Sequence, residues 1–201
     1  MRTQNILKSL AIGAASGTIA TFPMTAMMEL LRYVLLDYKP ETFPPRQVAL
    51  GIMKKSGLDK PLRAYGEPAV LGITAITHLG FGGVSGAIYG ALASLFPRRK
   101  PTPLNAAAAA AHGATFGILV WSGSYFGWLP ALGIVKPQGD YPVEKNTILV
   151  LSHIVWGATT GLIFHHQIQK MNNRPPTRAV ARKARAHRPG PKRRTRAATT
   201  K

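Results

Sequence analysis

Few residues in this chain can move a proton or hold an ion in apolar surroundings, and those that can recur at regular spacing. Glu29 follows Gly13, Gly17, Thr21 and Thr25 at four-residue intervals. His78 opens the series His78, Gly82, Gly86, Gly90, and His153 opens His153, Gly157, Gly161, His165. Residues four apart share a helix face, so each of the three stands at one end of a stripe of small residues. An ionisable group inside hydrocarbon costs at least a few kcal/mol, so within a membrane span it points to function. Glu29, His78 and His153 are therefore expected to form one layer, a carboxylate beside two imidazoles that can share a proton. The competing reading is local: Arg32 lies one turn after Glu29 and pairs with it, leaving the histidines as neutral packing donors. Two further candidates are His112, expected to enter from the opposite side and off its own glycine stripe, and Arg46. In Phe43-Pro44-Pro45-Arg46 the guanidinium is available to a lipid phosphate, a substrate carboxylate or a neighbouring acid.

Enzyme signatures are missing. The apolar segments hold no paired carboxylates, no His-Glu-x-x-His and no phosphate-cradling glycine loop, because the glycines sit inside apolar runs. Histidines on two helices can ligate haem or a metal, but two histidines alone do not define such a site. The pattern points away from an enzyme, with no catalytic residue, metal or cofactor expected. There is no Cys, so disulfides are excluded.

The elements that must carry these residues are long apolar helices. A bilayer core of about 30 Å needs about 20 apolar residues. Four segments qualify, at about 10–35, 70–96, 104–129 and 147–168. No Asp, Glu, Lys or Arg lies in 70–96, 104–129 or 147–169. A soluble amphipathic helix needs a polar face, so a soluble bundle is excluded and an all-α polytopic membrane protein with four transmembrane helices is predicted. The first apolar run continues past Ala14-Ala15-Ser16-Gly17 through Leu36, too far for a cleaved signal peptide. Asn146 is placed to cap the last helix, and Val48, Ile52 and Met53 recur at helical spacing after Pro44-Pro45, as in an interfacial helix.

Charge sets the orientation. The formal net charge is +19, and nearly half of the 26 Lys and Arg lie after Gln169, where there is no Asp or Glu. With four spans, Arg2 and Lys8, then Arg98-Arg99-Lys100, then the basic tail all fall on one side. Excess Lys and Arg mark the cytoplasmic side. The predicted organisation is a four-helix transmembrane domain over 1–170 and a disordered basic tail over 171–201, with both termini cytoplasmic. Tyr33, Tyr38, Tyr125 and Trp128 fall near the outer ends, where aromatic belts form. The expected partners are the bilayer itself, anionic headgroups bound by the tail, and a second copy of the chain. Without aromatic residues to stack on bases, specific nucleic-acid binding by the tail is not expected.

Gly13, Gly17, Gly82, Gly86, Gly90, Gly113, Gly117, Gly157 and Gly161 are read as helix-packing positions, where small residues let backbones approach. Thr77-His78 through Tyr89 aligns with Ser152-His153 through Phe164, which predicts a parallel repeat of two helical hairpins. Across residues 9–168 the chain resembles the YagU-like family of small bacterial inner-membrane proteins. The resemblance rests on Phe43-Pro44-Pro45-Arg46, Thr77-His78, Phe96-Pro97, the block Val120 to Pro130, and His153-Ile154-Val155-Trp156-Gly157. It implies a four-span protein of the bacterial inner membrane and no particular reaction, and the basic tail departs from it. Two functions follow: a proton-responsive or small-solute permeation protein using the ionisable layer, or a non-catalytic scaffold or accessory subunit packed through the glycine stripes.

Overall fold

The computed structural model describes residues 2–36, 43–95 and 103–173. All regular structure among them is helical. The chain divides into two units, Met1–Gln169 and Lys170–Lys201. The second lies almost wholly outside the described residues, and so does the expectation of a disordered tail.

The helices are α1 (Arg2–Leu35), α2 (Pro44–Lys55), α3 (Asp59–Ala64), α4 (Glu67–Ala93), α5 (Pro103–Ser122), α6 (Leu129–Ala131) and α7 (Val143–Asn172). A π-helical segment, Gly123–Trp128, joins α5 to α6, and a 3-10 turn, Gln138–Asp140, precedes α7. Three helices are long and apolar enough to cross a membrane: Ile6–Leu35, Glu67–Ala93 and Val143–Met171. The third expected span takes a different form. Its alanine-rich first part is α5, and its aromatic second part is the π segment, so no single long apolar helix covers 104–129. Asn146 does not cap the last helix. That helix opens at Val143, and the Asn146 side chain accepts from Gln138 Nε2 while donating to the Tyr141 carbonyl at 3.5 Å.

On α1 and α4 many of the buried positions are small or polar, and large apolar side chains face out. On α1 the buried positions include Ser9, Ser16, Thr21, Met24, Met28 and Arg32, while Ile19, Phe22, Leu30 and Val34 are exposed. On α4, Gly82, Ser85, Gly86 and Gly90 are buried, and Leu71, Ile76, Val84 and Ile88 face out. Three buried threonines bond within their own helix, Thr21 to the Gly17 carbonyl at 2.9 Å, Thr74 to Val70 at 2.7 Å and Thr160 to Trp156 at 2.8 Å, while the buried Ser9 and Ser152 hydroxyls find no partner among the described residues. Such self-satisfied groups need no water, which suits a helix bundle whose surroundings are apolar.

The glycines join the helices in antiparallel pairs. A Cβ on Gly13 would run into the Gly86 carbonyl and the backbone of Gly90, and one on Gly17 into Gly82 and Gly86, so α1 and α4 lie backbone on backbone. Gly113 meets Gly157 and Gly161 in the same way, and Gly117 meets His153 and Gly157, which joins α5 to α7. The indole of Trp156 ties the pairs together by donating to the Gly17 carbonyl at 2.9 Å.

Candidate functional site

Between the two pairs lies a cavity of about 90 Å³. Thr21, Met24 and Met28 of α1, His78 and Phe81 of α4, Ser124, Tyr125 and Trp128 of the π segment, and His153 and Trp156 of α7 line it. One face of α2 covers it with Pro45, Val48 and Ile52. The walls are mostly apolar, with a few polar groups converging on them.

His153 is 5% exposed. Its Nδ1 lies 2.7 Å from the Leu149 carbonyl. A carbonyl only accepts, so Nδ1 carries the proton and Nε2 of the neutral ring is left as an acceptor. Nε2, the His78 ring and the Tyr125 hydroxyl have no hydrogen-bond partner among the described residues, and none of them is fully enclosed by protein. Tyr125 packs edge-on against the His153 ring, with centroids 6.2 Å apart.

The π segment sets Tyr125. Gly123 and Gly127 flank Ser-Tyr-Phe, and Gly127 has a non-helical backbone (φ −104°, ψ −111°). The chain kinks there, with Tyr125 turned inward while Phe126 stays 63% exposed. Tyr125, expected in an outer aromatic belt, is 6% exposed and belongs to the core. Tyr33 is 78% exposed, and Tyr38 lies outside the described residues.

The structure thus brings His78 and His153 to one cavity. Glu29 is elsewhere: its carboxylate accepts from Arg32 NH1 at 2.7 Å, and it does not line the cavity. The reason is geometric. At 3.6 residues per turn, each step of four overshoots by about 40°, so four steps from Gly13 to Glu29 rotate about 160°. The buried stripe slips back to Met24, Met28 and Arg32. Arg32, 2% exposed, lies 5.3 Å over the Phe43 ring. His112 is exposed on α5, beside buried Gly113.

Arg46 forms a two-pronged pair with Glu67, at 2.7 and 2.9 Å, linking α2 to the start of α4. Two more contacts hold α2 down. Lys145 donates to Gln47 Oε1 at 2.9 Å, and Gly51 sits against Ile134, where a Cβ would meet its carbonyl at 2.7 Å. Lys145 Nζ also lies 3.8 Å from the Tyr141 ring centroid. Burial, opposed by a backbone hydrogen bond at Lys136 and aided by Asp140, raises the Tyr141 hydroxyl above its ordinary value, so the ring beside Lys145 carries no charge. Among the described residues no cluster of three or more His, Asp or Glu is placed to hold a metal.

The family described as "Protein of unknown function (DUF1440)" matches residues 37–162. The chain belongs to this family. The match agrees with the YagU-like resemblance read from the sequence. It takes in α2, α3, α4, α5, the π segment and His153, and so every lining residue of the cavity except those of α1. Glu29 and Arg32 precede it. No curated protein and no solved structure matches the chain.

Proposed function

We propose that this DUF1440 protein is a four-span protein of the bacterial inner membrane, with both termini cytoplasmic, that holds a proton-responsive binding cavity in the outer half of its bundle. The observation that carries the reading is that two histidines from different helices line one largely apolar cavity. A titratable ring in such surroundings changes its preferred partners when it gains a proton.

In this reading α5 and the π segment together make the third of the four spans. The antiparallel contacts of α1 with α4 and of α5 with α7 are those of two hairpins in a row, which supports four spans and the parallel repeat. Orientation follows the basic clusters. The tail lies along the membrane and binds anionic headgroups. Away from the cavity the glycine contacts press backbone on backbone, which favours binding over conduction of a solute. The same contacts bear on the scaffold reading. Because the glycine stripes are used within the chain, a scaffold would recruit partners or a second copy through its outward apolar faces and its tail.

The test replaces His78 and His153 singly by Asn and follows growth and membrane proton leak as the medium is acidified. Each variant is expected to lose the acid response of the wild type while folding normally. Wild-type behaviour in both would make the histidines packing residues and end the reading.

A further inference from the structure

We propose that the cavity beneath α2 binds the head group of a membrane-soluble hydroxylated aromatic molecule, a single ring of the phenol class whose hydroxyl donates to His153 Nε2. This names the ligand of the cavity on which the proposed function rests.

Size comes first. About 90 Å³ is far below the roughly 300–1,000 Å³ of a drug-sized pocket. It is nearer the roughly 150 Å³ of an engineered apolar cavity that takes benzene. One ring is therefore the scale of guest, with the roof helix α2 adjusting to it.

The walls choose a ring over an aliphatic chain. Phe81 and Trp128 lie with ring centroids 6.0 Å apart, and Trp156 and Tyr125 add further faces and edges. Met24 and Met28 bring thioethers, which pack favourably against aromatic edges. Flat, polarisable walls of this kind match a flat guest.

The polar groups choose a donor. His153 has committed Nδ1–H to Leu149, so its remaining nitrogen can only accept while the ring is neutral. A hydroxyl on the guest supplies the missing proton. His78 and the Tyr125 hydroxyl can each give or take a second hydrogen bond from the same guest atom or from another substituent. A ring without a hydroxyl would leave Nε2 buried and unpaired, which costs affinity. Protonation of His153 removes the acceptor, so binding and acid response are linked at this nitrogen.

The test titrates 4-fluorophenol and 4-fluorotoluene into the full chain in lipid nanodiscs. The two share a ring and differ by a hydroxyl against a methyl. The fluorine resonance is followed against empty nanodiscs, which removes simple partition into lipid. The phenol is expected to bind saturably and about tenfold more tightly than the toluene, the size of one net hydrogen bond to a buried acceptor. His153→Phe, which removes the acceptor and keeps a ring, should erase most of that difference. Ile52→Trp, which fills the cavity from the roof and leaves the bundle contacts alone, should abolish binding of both rings, and it serves if the histidine variant fails to fold. Equal affinity for the two rings, no saturable binding, or binding that survives Ile52→Trp would each overturn the proposal. If no ring binds while the histidine variants still change the acid response, the cavity holds water and only the ligand falls. If the phenol binds as expected and the histidine variants respond to acid like wild type, the ligand stands and the proton-responsive reading falls.

Discussion

Arg32 and Glu29 show how much the surroundings of a charged residue decide. The two are one ion pair at 2.7 Å, yet Arg32 has a side chain 2% exposed and Glu29 one 38% exposed. A half-exposed carboxylate is partly screened, and such pairs contribute about 0–1 kcal/mol. The long aliphatic stem of Arg32 also fills space at the Leu35 end of α1, so its removal costs packing as well as charge. Glu29→Gln, which keeps an acceptor in place, is expected to change stability by less than about 1 kcal/mol. Arg32→Ala is expected to cost about 2–4 kcal/mol, as for other buried large side chains cut to Ala. Thermal unfolding of both variants in detergent checks this, and equal losses would mean that the pair acts as a fully buried unit. Glu29→Gln should also keep the acid response that the histidine variants lose, since Glu29 does not reach the cavity.

At the scale of helices, the glycines divide into two sets that look alike in the sequence. Gly86 of α4 meets the Gly13 carbonyl and the Gly17 backbone, and Gly157 of α7 meets Gly113 and Gly117. Gly72 and Gly80 of α4 face open space. A Cβ on the first set must push two rigid backbones apart, and overpacking of this kind costs about 1–3 kcal/mol. In the second set Ala improves helix propensity by up to about 1 kcal/mol. Gly86→Ala and Gly157→Ala are therefore expected to unfold at lower denaturant in mixed micelles, and Gly80→Ala at the same or a higher concentration. Destabilisation by Gly80→Ala comparable with that by Gly86→Ala would show that α4 buries a different face. The stripe Gly82, Gly86, Gly90 was legible because close packing in apolar surroundings needs small residues at helical spacing. The π segment was not, since Gly123 and Gly127 read equally well as one more packing pair.

For the whole molecule, the basic tail and the bundle are expected to separate cleanly. A chain ending at Asn173 should keep the thermal stability of the full chain, because the cavity and the glycine contacts lie within 9–161. It should lose most of its affinity for vesicles containing an anionic lipid, at about 1 kcal/mol for each basic residue near the surface, with the loss largest at low salt. Reporters fused at residue 173 should still be active only in the cytoplasm, since in the proposed topology Arg2, Lys8 and Arg98-Arg99-Lys100 hold the orientation without the tail. A periplasmic reporter signal would reverse the proposed topology.

The sequence by itself determined a helical chain with segments apolar enough for a membrane, which helix faces are small, and the family. Those properties depend on composition and on spacing within a turn or two, where the 3.6-residue period and a count of four still agree. Tertiary structure decided what longer spacing could not. It turned Glu29 away from the histidines, because the overshoot of each four-residue step accumulates along α1. It brought Tyr125 inward beside a kink at Gly127, in a segment whose residues carry no period of their own. It laid α2 over the histidines, through contacts of Arg46, Gln47 and Gly51 with partners that lie 21 to 98 residues away in the chain. A cavity is made by the meeting of four helices and a roof, and only the packed chain holds His78 and His153 against the same space.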